Sequence, residues 1–465
     1  MYRKFISLLL AAILAISLAG CSLSAGKTNA SDSGKKKLTV LCYAGDQETF
    51  TKSTYYSKYV QKFQKQYDAD IDVEAIGTGN GSDEDMDDFV KKVAARLYEK
   101  KGPELIFVRN EANLTEAMVQ QGVAVDAKGK IANIDKIYPT LLDKEIYYVP
   151  IGIFPASILY NKKILDDLGV GNIRLDMTRE DYYQIHDKWL AKTPRYLTWK
   201  DYNYTLTRYL GMDKIYDSAN NRITVDTPGI KQGINDMHNE IYSYYKLDKG
   251  YTYENYYNML YVPDSEEYNK LQKFYFSPEC EEQNLWGQIS GDSDNMLYAR
   301  NINMGLSLDV EMAPDYKNGK LNLSTCGFLI NKNGNDLELA YEFINGLLGD
   351  EAQLDMFKPS KISQFYPVNR DIEDEIKKLD SQEGYKKEAV DAGDYMLGLI
   401  RDGKCELYIG TDGIRQKNID KVNKIYRKFT KDIMKLIFAD KPYSDAELSG
   451  ELKKLENEYN IWLNE

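Results

Sequence analysis

Short apolar runs alternate along the chain with longer segments in which apolar side chains recur every three or four positions. Leu38–Cys42 and Glu104–Val108 are compact and largely apolar, which predicts buried strands, while Ile71–Ile76 alternates like a half-exposed strand. Between Leu38–Cys42 and Ile71–Ile76, apolar side chains recur on one helical face: Tyr56, Tyr59, Val60, Phe63 and Tyr67. Strand, helix and strand in succession predict a parallel sheet with right-handed crossovers.

The loops that follow these strands are predicted to face a ligand, because open α/β sheets bind ligands beyond the carboxyl ends of their strands. These are the loops after Cys42, Ile76 and Val108. Gly77–Gly81 has neither the dinucleotide nor the Walker spacing and is predicted to be an ordinary turn. Ser82 and the acidic run after it fit a helix N-terminus better than a calcium loop, whose ligand pattern is absent.

The N-terminus has the pattern of an export signal. Arg3–Lys4 precede the apolar run Phe5–Leu18, which is short for a membrane span and leads through small residues to Cys21. This resembles the signal peptides of bacterial lipoproteins, which implies cleavage before Cys21 and a diacylglycerol on its thiol; an uncleaved anchor helix is the alternative. Residues 21–37 are predicted to be a flexible tether, and the chain from Leu38 onward a soluble body.

Composition and cysteine spacing exclude several classes of protein. The 465 residues contain 60 Lys and Arg against 72 Asp and Glu, a net charge of −12, which disfavours binding to nucleic acid or anionic lipid. Beside Cys21 the chain has Cys42, Cys280, Cys326 and Cys405, widely spaced and without a C-x-x-C pair, so a zinc site is not expected. No cofactor is expected either. Disulfides stay open, although Cys42 and Cys326 lie in strand-like runs typical of buried thiols.

Several motifs follow one another along the body: Gly102–Phe107, Tyr148–Pro150, Ser157–Lys162, Val225–Pro228, Ile302–Leu306, Gly327–Lys332, Leu339–Ile344 and Tyr366–Val368. In this order they resemble the family 1 extracellular solute-binding proteins, the group that includes maltodextrin and other sugar receptors of ABC importers. The ordered match is more specific than any single motif. Residues 240–300, with the Tyr-rich segment 251–261, fit no motif of the family.

The resemblance implies an α/β fold of two lobes, the type II periplasmic-binding-protein fold, with a mainly parallel sheet flanked by helices in each lobe and a ligand cleft at the hinge. Segments that cross between the lobes are expected near Pro150–Phe154, Ser307–Asp309 and Tyr366–Val368. The implied division is a signal peptide at 1–20, a tether at 21–37, lobe I at 38–150 and 310–365, and lobe II at 151–309 and 366–465.

The same resemblance implies partners. Closure of the lobes on a small solute would be read by the transmembrane permease subunits of an ABC importer. A lipid on Cys21 would hold the protein to the cell membrane, outside the cytoplasm. A monomer is expected, with no nucleic-acid partner.

Candidate ligand contacts are aromatic side chains for the faces of sugar rings and polar side chains for their hydroxyl rims. The 38 tyrosines favour a carbohydrate, and an oligosaccharide over a free sugar. The strand ends and first crossing supply Tyr43, Asp46, Arg109, Asn110 and Phe154. Trp199, Asp201 and Tyr202 follow the predicted strand Arg195–Thr198, where sugar receptors of the family place an acid and an aromatic, and Trp286, Asp309 and Tyr366 complete the set. Capping or lobe packing is the alternative for each.

One departure from the family argues against a maltodextrin ligand. Where maltodextrin receptors have a Trp after a Met-containing strand, this chain has Ser307–Glu311, which contains no aromatic residue. Trp286 could substitute for it. Trp189 and Trp462 lie in helical patterns and are expected to pack.

A catalytic function is not expected. The chain has two histidines, His186 and His238, both in helical stretches without a Ser or Cys nucleophile motif nearby. A surface hydrolase that uses two carboxylates stays open as an alternative in so acidic a chain. A lipoprotein that uses closure for signalling also stays open, as does a receptor for a peptide or polyol.

Overall fold

The structure is a computed structural model. It describes residues 35–47, 54–79, 83–109, 112–192, 195–217, 219–247, 250–275, 277–285, 310–314, 316–317, 319–357, 366–382, 387–407 and 419–464.

The strands range from two to eleven residues in length. They are β1 Lys36–Tyr43, β2 Ala69–Ile76, β3 Leu105–Arg109, β4 Tyr148–Pro155, β5 Ser157–Asn161, β6 Arg195–Tyr196, β7 Tyr216–Asp217, β8 Arg222–Ile223, β9 Tyr245–Lys246, β10 Val310–Pro314, β11 Tyr316–Lys317, β12 Lys320–Ile330, β13 Tyr366–Pro367 and β14 Cys405–Leu407.

The α-helices are α1 Thr54–Tyr67, α2 Asp83–Arg96, α3 Ala112–Gln120, α4 Lys162–Asp167, α5 Arg179–Lys192, α6 Trp199–Leu210, α7 Met212–Ile215, α8 Pro228–Tyr244, α9 Tyr253–Tyr261, α10 Glu266–Tyr275, α11 Pro278–Gln283, α12 Leu337–Leu347, α13 Asp350–Phe357, α14 Glu373–Gln382, α15 Lys387–Arg401, α16 Ile419–Asp432, α17 Met434–Ile437 and α18 Asp445–Asn464. Short 3-10 helices occupy Ala44–Asp46, Ala132–Lys136, Pro139–Leu141 and Arg370–Ile372.

An eight-stranded sheet organises the first part of the molecule. Its strand order is β13-β4-β12-β3-β1-β2, with β11 and β14 also paired to β12. The three strands predicted at the start of the body are β1, β2 and β3, and β1 runs parallel to β3. β12 runs antiparallel to both β3 and β4, so the sheet is mixed rather than mainly parallel as predicted.

A hydrophobic core covers this sheet. Tyr56 and Phe63 of the predicted helical face are buried in it, while Tyr59 and Tyr67 pack at its edge. Phe63 meets Phe343 of α12 edge to face, with ring centroids 5.1 Å apart. Each helix therefore buries one apolar stripe against the sheet, as the three-and-four periodicity predicts.

The second hydrophobic core is built mainly from helices. It gathers buried residues from 160–285 and 422–463, among them Trp189, Tyr202 and Phe438. In the described residues of this part the strands form two-stranded ladders: β5 with β10 and β7 with β8 antiparallel, and β6 with β9 in parallel. Among these residues the mainly parallel sheet predicted for lobe II is not found, and helices supply most of the core.

The boundary between the two cores differs from the sequence-based division at two segments. That division places 151–309 in lobe II, yet Ile151 to Leu159 contribute to the first core. It also places 366–465 in lobe II, yet Tyr366 and Met396 lie in the first core, and β13 and β14 belong to the large sheet. Of the described residues after 366, those from 422 onward join the second core. The pairing of Tyr366 with Ile153 fixes this segment beside β4, so it does not cross between cores there.

Candidate functional site

The loops at the carboxyl ends of β1 and β2 are joined by one carboxylate. Asp85, buried in the first turn of α2, accepts hydrogen bonds from the backbone N–H of Thr78 at 2.7 Å and of Gly79 at 2.9 Å. It also accepts from the Tyr43 hydroxyl at 2.6 Å. Gly77 has a φ of 93°, in the left-handed region that favours glycine. The described part of the glycine turn, residues 77–79, is therefore arranged around a carboxylate, and no phosphate loop is needed to explain it.

An ion pair stands next to this turn. The Arg109 guanidinium, at the end of β3, lies 2.8 Å (Nε to Oδ1) from Asp46 in the loop after β1. Arg109 also lies over the ring of Phe154, 5.6 Å from its centroid, at the end of β4. Both charged side chains are partly exposed, which leaves polar atoms within reach of a ligand. The sheet thus brings together three of the predicted contacts at one edge, as the carboxyl-end rule requires.

Burial sets the protonation of the groups around this pair. Burial raises the pKa of Asp46, and the positive charge of Arg109 offsets part of that rise. Burial, with a smaller contribution from Asp46, raises the pKa of the Cys42 thiol to about 12, and burial raises the pKa of Cys326 to about 12 as well. Both thiols are therefore neutral near pH 7, and they are free rather than disulfide-bonded, which confirms the expectation of buried thiols.

Replacing Asp85 with alanine is expected to lower the free energy of unfolding by about 2 to 3 kcal/mol, because two backbone donors and the Tyr43 hydroxyl lose a charged acceptor. Asp88→Ala is the matched control: Asp88 is on the same helix but pairs on the surface with Lys92, so it should cost less than about 0.5 kcal/mol. Urea unfolding followed by tyrosine and tryptophan fluorescence measures both. Equal losses in the two variants would contradict the role given to Asp85.

Two predicted contacts from the second core lie inside it. Asp201 has 0% exposure, and its Oδ2 accepts from the backbone N–H of Thr198 at 3.0 Å and from the Thr198 hydroxyl at 2.7 Å. The Arg195 guanidinium lies 3.2 Å from the same oxygen. Tyr202 also has 0% exposure and donates its hydroxyl to the carbonyl of Thr430. Asp201 is thus in the position of a helix cap and Tyr202 in that of a core residue, the two alternatives to ligand contact.

Tyr366 is likewise buried, in the first core, where its ring meets Phe357 edge to face at 5.4 Å. Ligand contact by Tyr366, like that by Asp201 and Tyr202, would need a change in its surroundings and stays a prediction. Asn110, Trp286, Asp309, the side chain of Trp199 and the lipidation residue Cys21 lie outside the described residues.

Asp85 is the residue beside the site that the sequence pattern does not single out. A signal for it is present, since the acidic run begins a helix directly after the glycine turn, and α2 starts at Asp83 as that run predicts. That Asp85 meets the turn depends on how α2 packs against β2 and the loop after it. The local pattern carries no information about this tertiary packing.

The described residues contain no group of three or more His, Cys, Asp and Glu side chains arranged to hold a metal ion. Both histidines are buried in helices, His186 in α5 and His238 in α8, as the sequence predicts. Within the described part of the chain, no helix has the length and apolar character of a bilayer span.

Comparison with known proteins places the chain among extracellular solute-binding proteins. The family model for bacterial extracellular solute-binding proteins matches residues 47–354. No curated protein matches the chain. A family 1 extracellular solute-binding protein from Alicyclobacillus acidocaldarius superposes with a TM-score of 0.58 and 13% identity, over 93% of this chain and 99% of that one.

Two further similar structures were solved with bound sugars. An ABC substrate-binding protein from Listeria monocytogenes in complex with cycloalternan has a TM-score of 0.55 and 14% identity, over 92% of this chain and 98% of that one. A solute-binding protein from Thermotoga lettingae bound with α-D-tagatose has the same TM-score and identity, over 92% and 100%. The predicted two-lobed fold is confirmed by these likenesses, and the match over residues 47–354 shows that the chain belongs to the bacterial extracellular solute-binding protein family, whose members work outside the cytoplasm.

Proposed function

We propose that this protein is the carbohydrate receptor of an ABC importer, held to the outer face of the cell membrane by lipid on Cys21, and that it carries no catalytic activity. The observation that carries the proposal is the Asp46–Arg109 pair beside Phe154. The partly exposed charged donors and acceptors match the hydroxyl rim of a sugar, whereas the Phe154 ring is buried beneath Arg109 and supports the guanidinium rather than offering a stacking face. Closure of the two lobes on the sugar would be the state that the permease recognises.

Two further observations support a neutral carbohydrate ligand. The neighbours from Listeria monocytogenes and Thermotoga lettingae are described with cycloalternan and α-D-tagatose, an oligosaccharide and a monosaccharide. The two charges of the candidate site also pair with each other, so a neutral ligand would need no extra counter-charge. The oligosaccharide preference follows from the tyrosine content of the chain.

A thermal-shift panel of mono- and oligosaccharides, polyols, amino acids and peptides tests the substrate class. At least one carbohydrate is expected to raise the melting temperature, since a ligand at 100 times its Kd adds about 2.7 kcal/mol of stability. A panel in which peptides raise the melting temperature and every carbohydrate fails would show that the substrate class is wrong while leaving the fold intact.

The variant Arg109→Ala is expected to weaken binding of the carbohydrate found in that panel about tenfold to a hundredfold by calorimetry, through loss of a charged donor worth about 1.5 to 3 kcal/mol. Lys92→Ala, which removes a surface cation paired with Asp88 on α2, is the matched control and should bind as the wild type does. Wild-type affinity in Arg109→Ala would place the ligand elsewhere.

The lipid anchor is tested separately. Mature protein from the native cell envelope is expected to begin at Cys21 with a diacylglycerol on its thiol, by mass spectrometry of its N-terminal peptide. Cys21→Ser should appear in the medium or as an unprocessed precursor, because the two acyl chains that hold the protein at the membrane are gone. An unmodified Cys21 in wild-type protein would overturn the anchor and leave the solute-binding function untouched.

A further inference from the structure

A second concave surface lies on the helical core, on different elements from the candidate ligand site. It is a groove of about 930 Å³ between α9, α16, α17 and α18. The groove includes part of the Tyr-rich segment 251–261, for which the family resemblance has no role. Its aromatic and charged lining includes Tyr253, Tyr257, Lys428, Lys431, Asp432 and Glu458.

Tyrosines form a row along α9, of which Tyr253 and Tyr257 line the groove and Tyr261 lies beyond the lining. Tyr253, Tyr257 and Tyr261 are four positions apart, so they lie above one another on the helix. The rings of Tyr257 and Tyr261 have centroids 5.6 Å apart, and Tyr253 is 42% exposed at the open end. This spacing offers successive ring faces to an extended ligand.

The neighbouring stripe of α9 is buried and fixes the orientation of this row. Tyr256, Met259 and Leu260 are buried in the second core, and Tyr256 stacks on Phe438 with centroids 4.2 Å apart and planes 11° apart. The α9 backbone that carries the row is therefore held against the second core before a ligand arrives, so binding does not have to order this helix.

An exposed indole lies beside the groove, next to its lining residue Lys428. Trp462 of α18 is 41% exposed, where the sequence pattern predicts packing, and the Lys428 ammonium lies 5.7 Å from its ring centroid. Trp462 follows Glu458 by one helical turn, so both are on the same face of α18. Tryptophan side chains have a large apolar surface and are mostly buried on average, so an exposed Trp beside a groove is uncommon.

The polar groups of the groove are balanced in charge. Lys428 pairs with Asp432 at 2.5 Å and with Glu458 at 3.4 Å, and Lys435 pairs with Glu451 at 2.8 Å. Lys431 lies over the Tyr261 ring at 5.2 Å. Donors and acceptors are thus present without a strong field of either sign, which suits neutral hydroxyls better than a polyanion.

We propose that this groove is a second carbohydrate-binding site, on the outer surface of the helical core, that takes a segment of a neutral polysaccharide. Tyr253, Tyr257 and Trp462 supply stacking faces for successive sugar rings, and the carboxylates and lysines bind the hydroxyl rims. The site is separate from the Asp46–Arg109 pair, so it requires neither closure of the lobes nor the proposed transport function. It would keep the receptor near the polymer from which soluble sugars are released.

Affinity electrophoresis in native gels that contain soluble starch, xylan, laminarin or hydroxyethyl cellulose tests the proposal. Wild-type protein is expected to be retarded in at least one of these gels relative to a gel without polysaccharide. The triple variant Tyr253→Ala, Tyr257→Ala, Trp462→Ala should migrate as in the blank gel, with the apparent Kd for that polysaccharide raised at least tenfold.

Two control variants test whether retardation comes from the groove rather than from exposed tyrosines in general or from the candidate ligand site. Tyr98→Ala removes a tyrosine that is 58% exposed just after α2 and should leave retardation unchanged, as should Arg109→Ala. Circular dichroism melting checks that the triple variant is folded; if it is not, the single variants Tyr253→Ala and Trp462→Ala take its place. The proposal is overturned if no polysaccharide retards the wild type, if the folded groove variants are still retarded, or if Arg109→Ala abolishes retardation.

Discussion

Asp201→Asn is expected to lower the free energy of unfolding by about 3 kcal/mol, because it leaves the Arg195 guanidinium buried without a counter-charge. Arg195 has 1% exposure and lies 4.3 Å from the ring centroid of Trp189, and the Asp201 carboxylate is the acid that the structure pairs with it. The substitution also weakens the cap of α6, in which Asp201 and Thr198 bind each other's backbone.

The chain contains a matched control for this variant. Thr178 and Asp181 at the start of α5 make the same pair of hydrogen bonds as Thr198 and Asp201, but on the surface, where Asp181 pairs with an exposed Arg174. Asp181→Asn should therefore cost less than about 1 kcal/mol in the same urea-unfolding measurement. The difference between the two variants isolates the contribution of the buried charge from that of the cap.

A double-mutant cycle completes the test. If the ion pair is the cause, Arg195→Met combined with Asp201→Asn should recover much of the stability lost in Asp201→Asn, since no buried charge is left alone. The opposite result would be an Asp201→Asn protein that is as stable as the wild type but binds carbohydrate more weakly. That result would support Asp201 as a ligand contact.

The sequence contains the information needed to predict the role of Asp201. Thr198 followed three positions later by Asp201 is the spacing of a capping box, and it precedes a helix. The family resemblance instead favours ligand contact, because it aligns positions along the chain and carries no information on burial. Arg195 has no comparable signal, since only the parallel pairing of β6 with β9 places it inside the core.

The elements that depend on local pattern can be predicted, and those that depend on distant pairing cannot. β1, β2 and β3 follow from apolar runs, and the buried face of α1 from its periodicity. The direction of β12 cannot be predicted in this way, because an apolar strand buried on both faces has the same composition in either orientation. For the same reason, the sequence predicts Asp46 and Arg109 only as two side chains at neighbouring strand ends and not as an ion pair.

A close approach between two strands of the large sheet gives the second large effect. Gly327 lies at the irregularity in β12 where the pairing with β4 shifts, opposite Pro150. A Cβ at this position would collide with the carbonyl oxygen of Val149 and come within 2.8 Å of the Pro150 Cα. Both obstacles are backbone atoms, so they cannot move aside as a flexible side chain can.

Gly327→Ala is therefore expected to lower the free energy of unfolding by about 3 kcal/mol or more, the upper part of the usual range for overpacking. Gly229→Ala is the control: Gly229 lies in the first turn of α8, where an added Cβ meets nothing within 4 Å, so alanine should be neutral or should stabilise by about 0.5 kcal/mol. Urea unfolding of both variants measures the difference, and soluble yield substitutes if Gly327→Ala does not fold.

The effect of Gly327→Ala should extend to the candidate ligand site. Cys326, the preceding residue, pairs with Arg109 in the ladder between β12 and β3. A displacement of β12 away from β4 would therefore also displace the end of β3, which carries the Arg109 guanidinium. We expect any folded Gly327→Ala protein to bind the carbohydrate ligand more weakly than the wild type by calorimetry, whereas Gly229→Ala, on the helical core, keeps its affinity. If the free energy of unfolding of Gly327→Ala lies within about 1 kcal/mol of the wild-type value and the variant binds equally well, β12 does not pack against β4 as closely as the overpacking argument requires.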